Sequence, residues 1–149
     1  MTKLKATLGV LLAVVVAGAF AVTGSASPRS GELHVTKDCG DYHFGAGEHC
    51  TIQWSSLNAI APGMRVVYAS AAGGDGLDSD LVLDGPGNND ALGHVTLDFH
   101  TLSGEVTFSG GTGRFSGFHA RVDVTHVSGN LWRWDGTYSF TPPGRVPLG

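Results

Sequence analysis

The nonapeptide Gly93-His94-Val95-Thr96-Leu97-Asp98-Phe99-His100-Thr101 changes character at every step. Val95, Leu97 and Phe99 share one side; His94, Thr96, Asp98 and His100 share the other. A period of two is the pattern of a strand with one face packed and the other wet. The same pattern recurs outward from this stretch. Residues 118–127 set Phe118, Ala120, Val122 and Val124 against His119, Arg121, Asp123 and Thr125. Residues 131–140 set Trp132, Trp134, Tyr138 and Phe140 against Arg133, Asp135, Thr137 and Ser139. Shorter runs lie at 32–37 (Leu33 and Val35 on one face), 50–54, 64–70, 80–83 and 105–109. Gly, Asn and Asp bound them, as turns require. No window keeps helical apolar spacing; residues 55–60 offer one capped turn before Pro62-Gly63 stops it.

Eight short strands with brief connections predict an all-β domain. The expected form is a single antiparallel eight-stranded barrel wound as a meander, with a β-sandwich of the same strands as the alternative. A barrel of this size has room for side chains or for one small ligand.

Ahead of the strands, Lys3 and Lys5 precede an apolar run at 8–22, then Thr23-Gly24-Ser25-Ala26-Ser27. This is the signal-peptide pattern, with cleavage expected after Ala26. The domains expected are therefore a signal peptide at 1–26, a barrel at 27–141 and a Pro/Gly-rich tail at 142–149, which cannot continue a ladder. The chain is expected to be secreted, with no membrane span after cleavage. Cys39 and Cys50 are the only cysteines. An even count in an exported chain predicts a disulfide between them. Their spacing fits neither a C-x-x-C redox motif nor a zinc knuckle.

With Lys3 and Lys5 set aside, seven basic residues face thirteen acidic ones. A chain this acidic, with scattered arginines, is not expected to bind nucleic acid. Seven histidines and the acidic loops at 75–90 invite a metal reading. His94 and His100, however, stand too far apart on one extended strand to share an ion, and no EF-hand spacing closes the acidic loops. Turn chemistry and a solvated outer face explain both, so no metal or cofactor is expected, and calcium at 75–90 is left open. No nucleophile elbow or triad is visible. Glu105 alternates with Val106 and Phe108 and is expected to point outward. Arg121 and Arg133 lie on adjacent strands near Asp123 and Asp135, and cross-strand charge pairing among them is expected. No catalytic residue is assigned. Trp54, Tyr68, Trp132 and Trp134 are the candidate walls of a pocket for a flat hydrophobic ligand.

The run Phe108-Ser109-Gly110-Gly111-Thr112-Gly113-Arg114-Phe115-Ser116-Gly117 is the most distinctive in the chain. Its glycines allow a reversal, and Phe115 can fold back on the core as a plug. It resembles the G-G-T-G-[KR]-F-x-G signature of the allene oxide cyclase and dirigent superfamily of eight-stranded barrels. The later Trp134-Asp135-Gly136-Thr137-Tyr138-Ser139-Phe140 looks like the closing strand of small secreted bacterial relatives. The resemblance implies the fold. In plant members the lumen guides cyclisation or radical coupling of a hydrophobic molecule, but their catalytic residues lie outside the matched motif. Three functions follow as expectations: binding of a small hydrophobic ligand or an envelope component; a structural or interaction role at the cell envelope; or a cyclase or isomerase acting in the lumen. The last needs an ionisable group inside the barrel. Oligomerisation is left open.

Overall fold

A computed structural model describes residues 29–142. The expected signal peptide and all but the first residue of the expected tail lie outside that range. Eight strands run in chain order: β1 (Ser30–Asp38), β2 (His49–Ser55), β3 (Arg65–Tyr68), β4 (Gly76–Asp84), β5 (Asp90–Asp98), β6 (Ser103–Gly111), β7 (Phe118–Ser128) and β8 (Leu131–Phe140). Each pairs antiparallel with the next, and β1 pairs with β8 from Ser30↔Ser139 to Asp38↔Leu131, closing the barrel. Closure leaves no sheet edge to be capped.

The alternation read from the sequence sets the inside. Leu33, Val35, Leu81, Leu83, Val95, Val106, Phe108, Phe118, Val122, Val124 and Trp134 are buried, while His94, Thr96, Asp98 and Arg121 are exposed. Strand ends move for local reasons. β5 stops at Asp98 because its carboxylate accepts the backbone N–H of His100 at 2.7 Å and of Thr101 at 3.3 Å. Such a side-chain turn competes with the ladder. β4 begins at Gly76, earlier than the apolar run implies. Ser79 holds an inward position there, with its hydroxyl donating to Asp80 O and accepting from Ser70 N.

The two ends of the barrel differ. At the end that gathers the β2–β3, β4–β5 and β6–β7 connections, Phe115 is fully buried. It meets Phe118 at 5.4 Å between ring centroids, and Phe118 meets Phe108 at 5.5 Å and Phe140 at 5.2 Å. This phenylalanine plug sits on a 3-10 turn at Gly113–Phe115. Gly113 and Gly117 take φ of 57° and 73°, which a side chain would resist. The distinctive run of residues thus closes one end. The other end, formed by residues 39–48, 69–75, 99–102 and 129–130, stays partly open.

Candidate functional site

The open end begins with the long β1–β2 connection. A disulfide joins Cys39 to Cys50. Glu48 folds back so that its carboxylate accepts the backbone N–H of His43 at 3.0 Å and of Gly45 at 2.5 Å. Gly47 N donates to Tyr68 O and Ala72 N donates to Phe44 O. Phe44 is held at φ 68°, an uncommon conformation for a non-glycine residue, with its ring 56% exposed. Such strain persists only where the surroundings impose it.

Behind this loop is a cavity of about 350 Å³ lined by Tyr42, Phe44, Tyr68, Leu77, Leu97, Phe99 and Trp132, with the disulfide at its wall. Its aromatic rings contact one another: Tyr42–Tyr68 centroids lie 5.0 Å apart, Tyr42–Phe44 5.3 Å and Phe44–Phe99 5.8 Å. This is the concave, mostly apolar form that small-molecule sites take. Four of the six exposed large hydrophobics among the described residues, Phe44, Leu102, Val127 and Leu131, stand at this end.

The polar groups lie deeper. Lys37 occupies the inward phase of β1 after Leu33 and Val35, and is 4% exposed. Its Nζ donates to Tyr68 Oη at 2.6 Å and sits 5.3 Å and 5.1 Å from the ring centroids of Tyr68 and Trp134. Tyr68 Oη in turn points at Cys50 Sγ, 3.5 Å away. Burial lowers the Lys37 amine to about 7 and pushes the Tyr68 phenol well above its ordinary range. Two further buried donors, Tyr42 Oη and Trp134 Nε1, have no hydrogen-bond partner among the described residues.

Of the candidate pocket residues, Tyr68 and Trp132 line the cavity. Trp134 does not; it is fully buried core beneath Lys37. Trp54 is a correction, being 53% exposed on the outer surface. The β1–β2 pairing passes from Thr36↔Trp54 to Lys37↔Ile52, so Gln53 is an extra residue. Such a bulge flips the phase of the strand, and Ile52 points in where Trp54 points out. The alternation of residues 32–37 contained the signal for Lys37, since its side follows from Leu33 and Val35. Tyr42, Phe44 and Glu48 lie in a loop that carries no periodic signal.

The outer-face groups pair among themselves. His94 lies between Asp80 (2.8 Å) and Asp78 (2.6 Å), and those hydrogen bonds hold its imidazole above the usual histidine value. His100 meets Asp75, and Asp84 meets Arg65. His34 is raised by its hydrogen bond to Asp135. Arg121 pairs across strands, but with Glu105 of β6 rather than with Asp135 of β8, and Arg133 pairs with Asp135 on its own strand, so the expected cross-strand pairing with Asp123 and Asp135 does not form. Among the described residues no three His, Cys, Asp or Glu gather as a metal site, and no helix is long and apolar enough to cross a membrane. A wider groove of about 530 Å³ lies at the plugged end, lined by Arg29, Asn58, Arg114, Tyr138 and Phe140. The Lys37–Tyr68 pair belongs to the opposite end.

No protein-family model, curated protein or solved structure matches the chain.

Proposed function

We infer that this chain is a secreted barrel that binds a small, flat, hydrophobic molecule in the cavity at its disulfide-bearing end. The observation that carries this reading is an open aromatic cavity whose lining residue Tyr68 is hydrogen-bonded to the buried amine of Lys37 behind it. Packing alone asks for neither, because an eight-stranded barrel can fill its interior with side chains, as the plugged end does. A buried amine costs free energy without a compensating role. The disulfide and the leader-like sequence at 1–26 support export. Kinship with the allene oxide cyclase and dirigent barrels is part of the proposal, supported by the meander topology and by the glycine-rich run at 108–117.

Two other readings have a supporting observation each. An ionisable group inside the lumen is what a cyclase or isomerase needs, and Lys37 and Tyr68 supply it. The exposed ring of Phe44, Leu102, Val127 and Leu131 suits an envelope-interaction surface instead.

Native mass spectrometry of the chain from its secreted fraction, compared with the denatured mass, tests the reading. A discrete extra mass that denaturation releases is expected. A bare mass in every preparation, together with no uptake of added naphthalene-sized probes, would favour the interaction role.

A further inference from the structure

Lys37 is the only lysine after residue 5; every other Lys/Arg cation beyond that point is an arginine. Arg65, Arg121 and Arg133 form ion pairs with exposed or half-exposed carboxylates on the outer surface. Among the described lysines and arginines, the one able to lose its proton is the one inside the barrel. Lysine is among the residues least often buried. A permanent interior counter-ion would be better made from arginine, which keeps its charge and presents a fixed fork of donors. Position 37 therefore suits the chemistry of a neutral amine.

The surroundings agree. The groups packed on Lys37 are Tyr68 from β3, with the Cys39–Cys50 disulfide behind it, and Trp134 from β8. From the β1–β2 loop comes Tyr42, stacked on Tyr68. Glu48 of that loop is engaged by the N–H groups of His43 and Gly45. No carboxylate bonds to Nζ among the described residues; the Tyr68 and Trp134 rings favour the ammonium, but burial outweighs them and lowers the amine.

We propose that Lys37, buried behind the cavity-lining Tyr68 and hydrogen-bonded to it, is the reactive amine reached from this cavity and holds a hydrophobic aldehyde or ketone through a reversible imine bond, with the Tyr68 hydroxyl exchanging protons at the carbonyl oxygen. The inference rests on the cavity being a ligand site. The Nζ lone pair adds to the carbonyl carbon, and the carbonyl π pair moves to oxygen. Tyr68 protonates that oxygen and recovers a proton from Nζ. The carbinolamine then loses its hydroxyl and the remaining Nζ proton as water, leaving C=N. One amine and one carbonyl give one imine and one water, with no change of oxidation state. Burial, which lowers the amine to about 7, leaves about half of it neutral at pH 7. An ordinary lysine is neutral in only about one part in a few thousand there.

The test treats the purified chain at pH 7 with 2-naphthaldehyde and cyanoborohydride, which reduces any imine to a stable amine. Peptide mapping then locates the adducts. In parallel, nuclear magnetic resonance follows reversible binding of 2-naphthylmethanol, which has the same ring but no carbonyl. The expected result is one dominant adduct on Lys37, formed on the order of tenfold faster than on the N-terminal amine, and on Lys3 and Lys5 where the leader is retained. The alcohol should suppress it by competition, a readout that needs no variant. Lys37→Arg should abolish the adduct. Tyr68→Phe should slow trapping. Alcohol bound in the cavity with no Lys37 adduct would overturn the imine and leave the ligand site standing. Lys37 trapping that the alcohol fails to suppress would overturn the proposal as cavity-independent chemistry. Neither binding nor trapping would overturn both readings.

Discussion

An ammonium placed between Tyr68 and Trp134 gains roughly 2 kcal/mol from the two ring faces. Its desolvation works in the opposite direction and is larger. The fall of Lys37 from 10.5 to about 7 corresponds to an upper limit of roughly 5 kcal/mol. Below pH 7 the amine is protonated in both folded and unfolded chains, and the folded state bears the full burial cost. Between pH 7 and 10.5 the unfolded chain binds the extra proton, so stability rises with pH. Above 10.5 both states are neutral and the cost is gone. Lys37→Met should therefore be more stable than the parent at pH 6, by several kcal/mol at most, with the gap closing as pH rises to 10.5. Urea denaturation across that range checks it, and a gap independent of pH would show that Lys37 is not desolvated. At this scale the sequence is informative. Leu33, Val35 and Lys37 share one phase of β1, and a charged residue on that phase is the strongest pointer to a site that one strand can give.

Individual strands show where pattern reading succeeds and where it stops. Residues 118–127 and 131–140 alternate cleanly, and β7 and β8 follow them to within a residue. The inward phase of β8 includes Gly136, whose missing Cβ lets the backbone of β7 at Arg121 and Val122 lie close against it. Gly136→Ala should cost about 1–3 kcal/mol, measured by urea denaturation, because the obstruction is backbone and cannot rotate away. Trp54 was not legible, because one inserted residue, Gln53, inverts its side, and a bulge leaves no mark in hydrophobicity. The end of β5 was misplaced because Asp98, an ordinary outward residue by pattern, captures the two N–H groups that follow it. The β1–β2 connection has no period to read, and Glu48 orders it through contacts within the loop. Glu48→Ala should speed amide exchange at residues 42–47, where the His43 and Gly45 N–H groups lose their acceptor, while the barrel strands keep their protection.

Across the whole molecule, eight alternating runs with short connections specified a closed meander, since each strand finds its partner next in sequence. The difference between the two ends was only half legible. The run at 108–117 marked the plug through its glycines and Phe115, but the cavity opposite is assembled from residues 42–44, 68, 77, 97, 99 and 132, which only closure brings together. The Cys39–Cys50 bridge anchors that assembly to β2. Replacing both cysteines by serine should lower stability by roughly 3 kcal/mol in thermal or urea unfolding, the loop-closure value for a link of this length. It should also weaken probe binding, because the loop bearing Tyr42 and Phe44 loses its tether. The central claim, that this end of the barrel is a ligand site, is tested most directly by titrating the isotopically labelled chain with 2-naphthylmethanol and following backbone amide shifts. Saturable shifts concentrated at Tyr42, Phe44, Tyr68, Leu97, Phe99 and Trp132 are the predicted result. Shifts confined to Arg29, Asn58 and Arg114 at the plugged end, or no shifts at all, would contradict it.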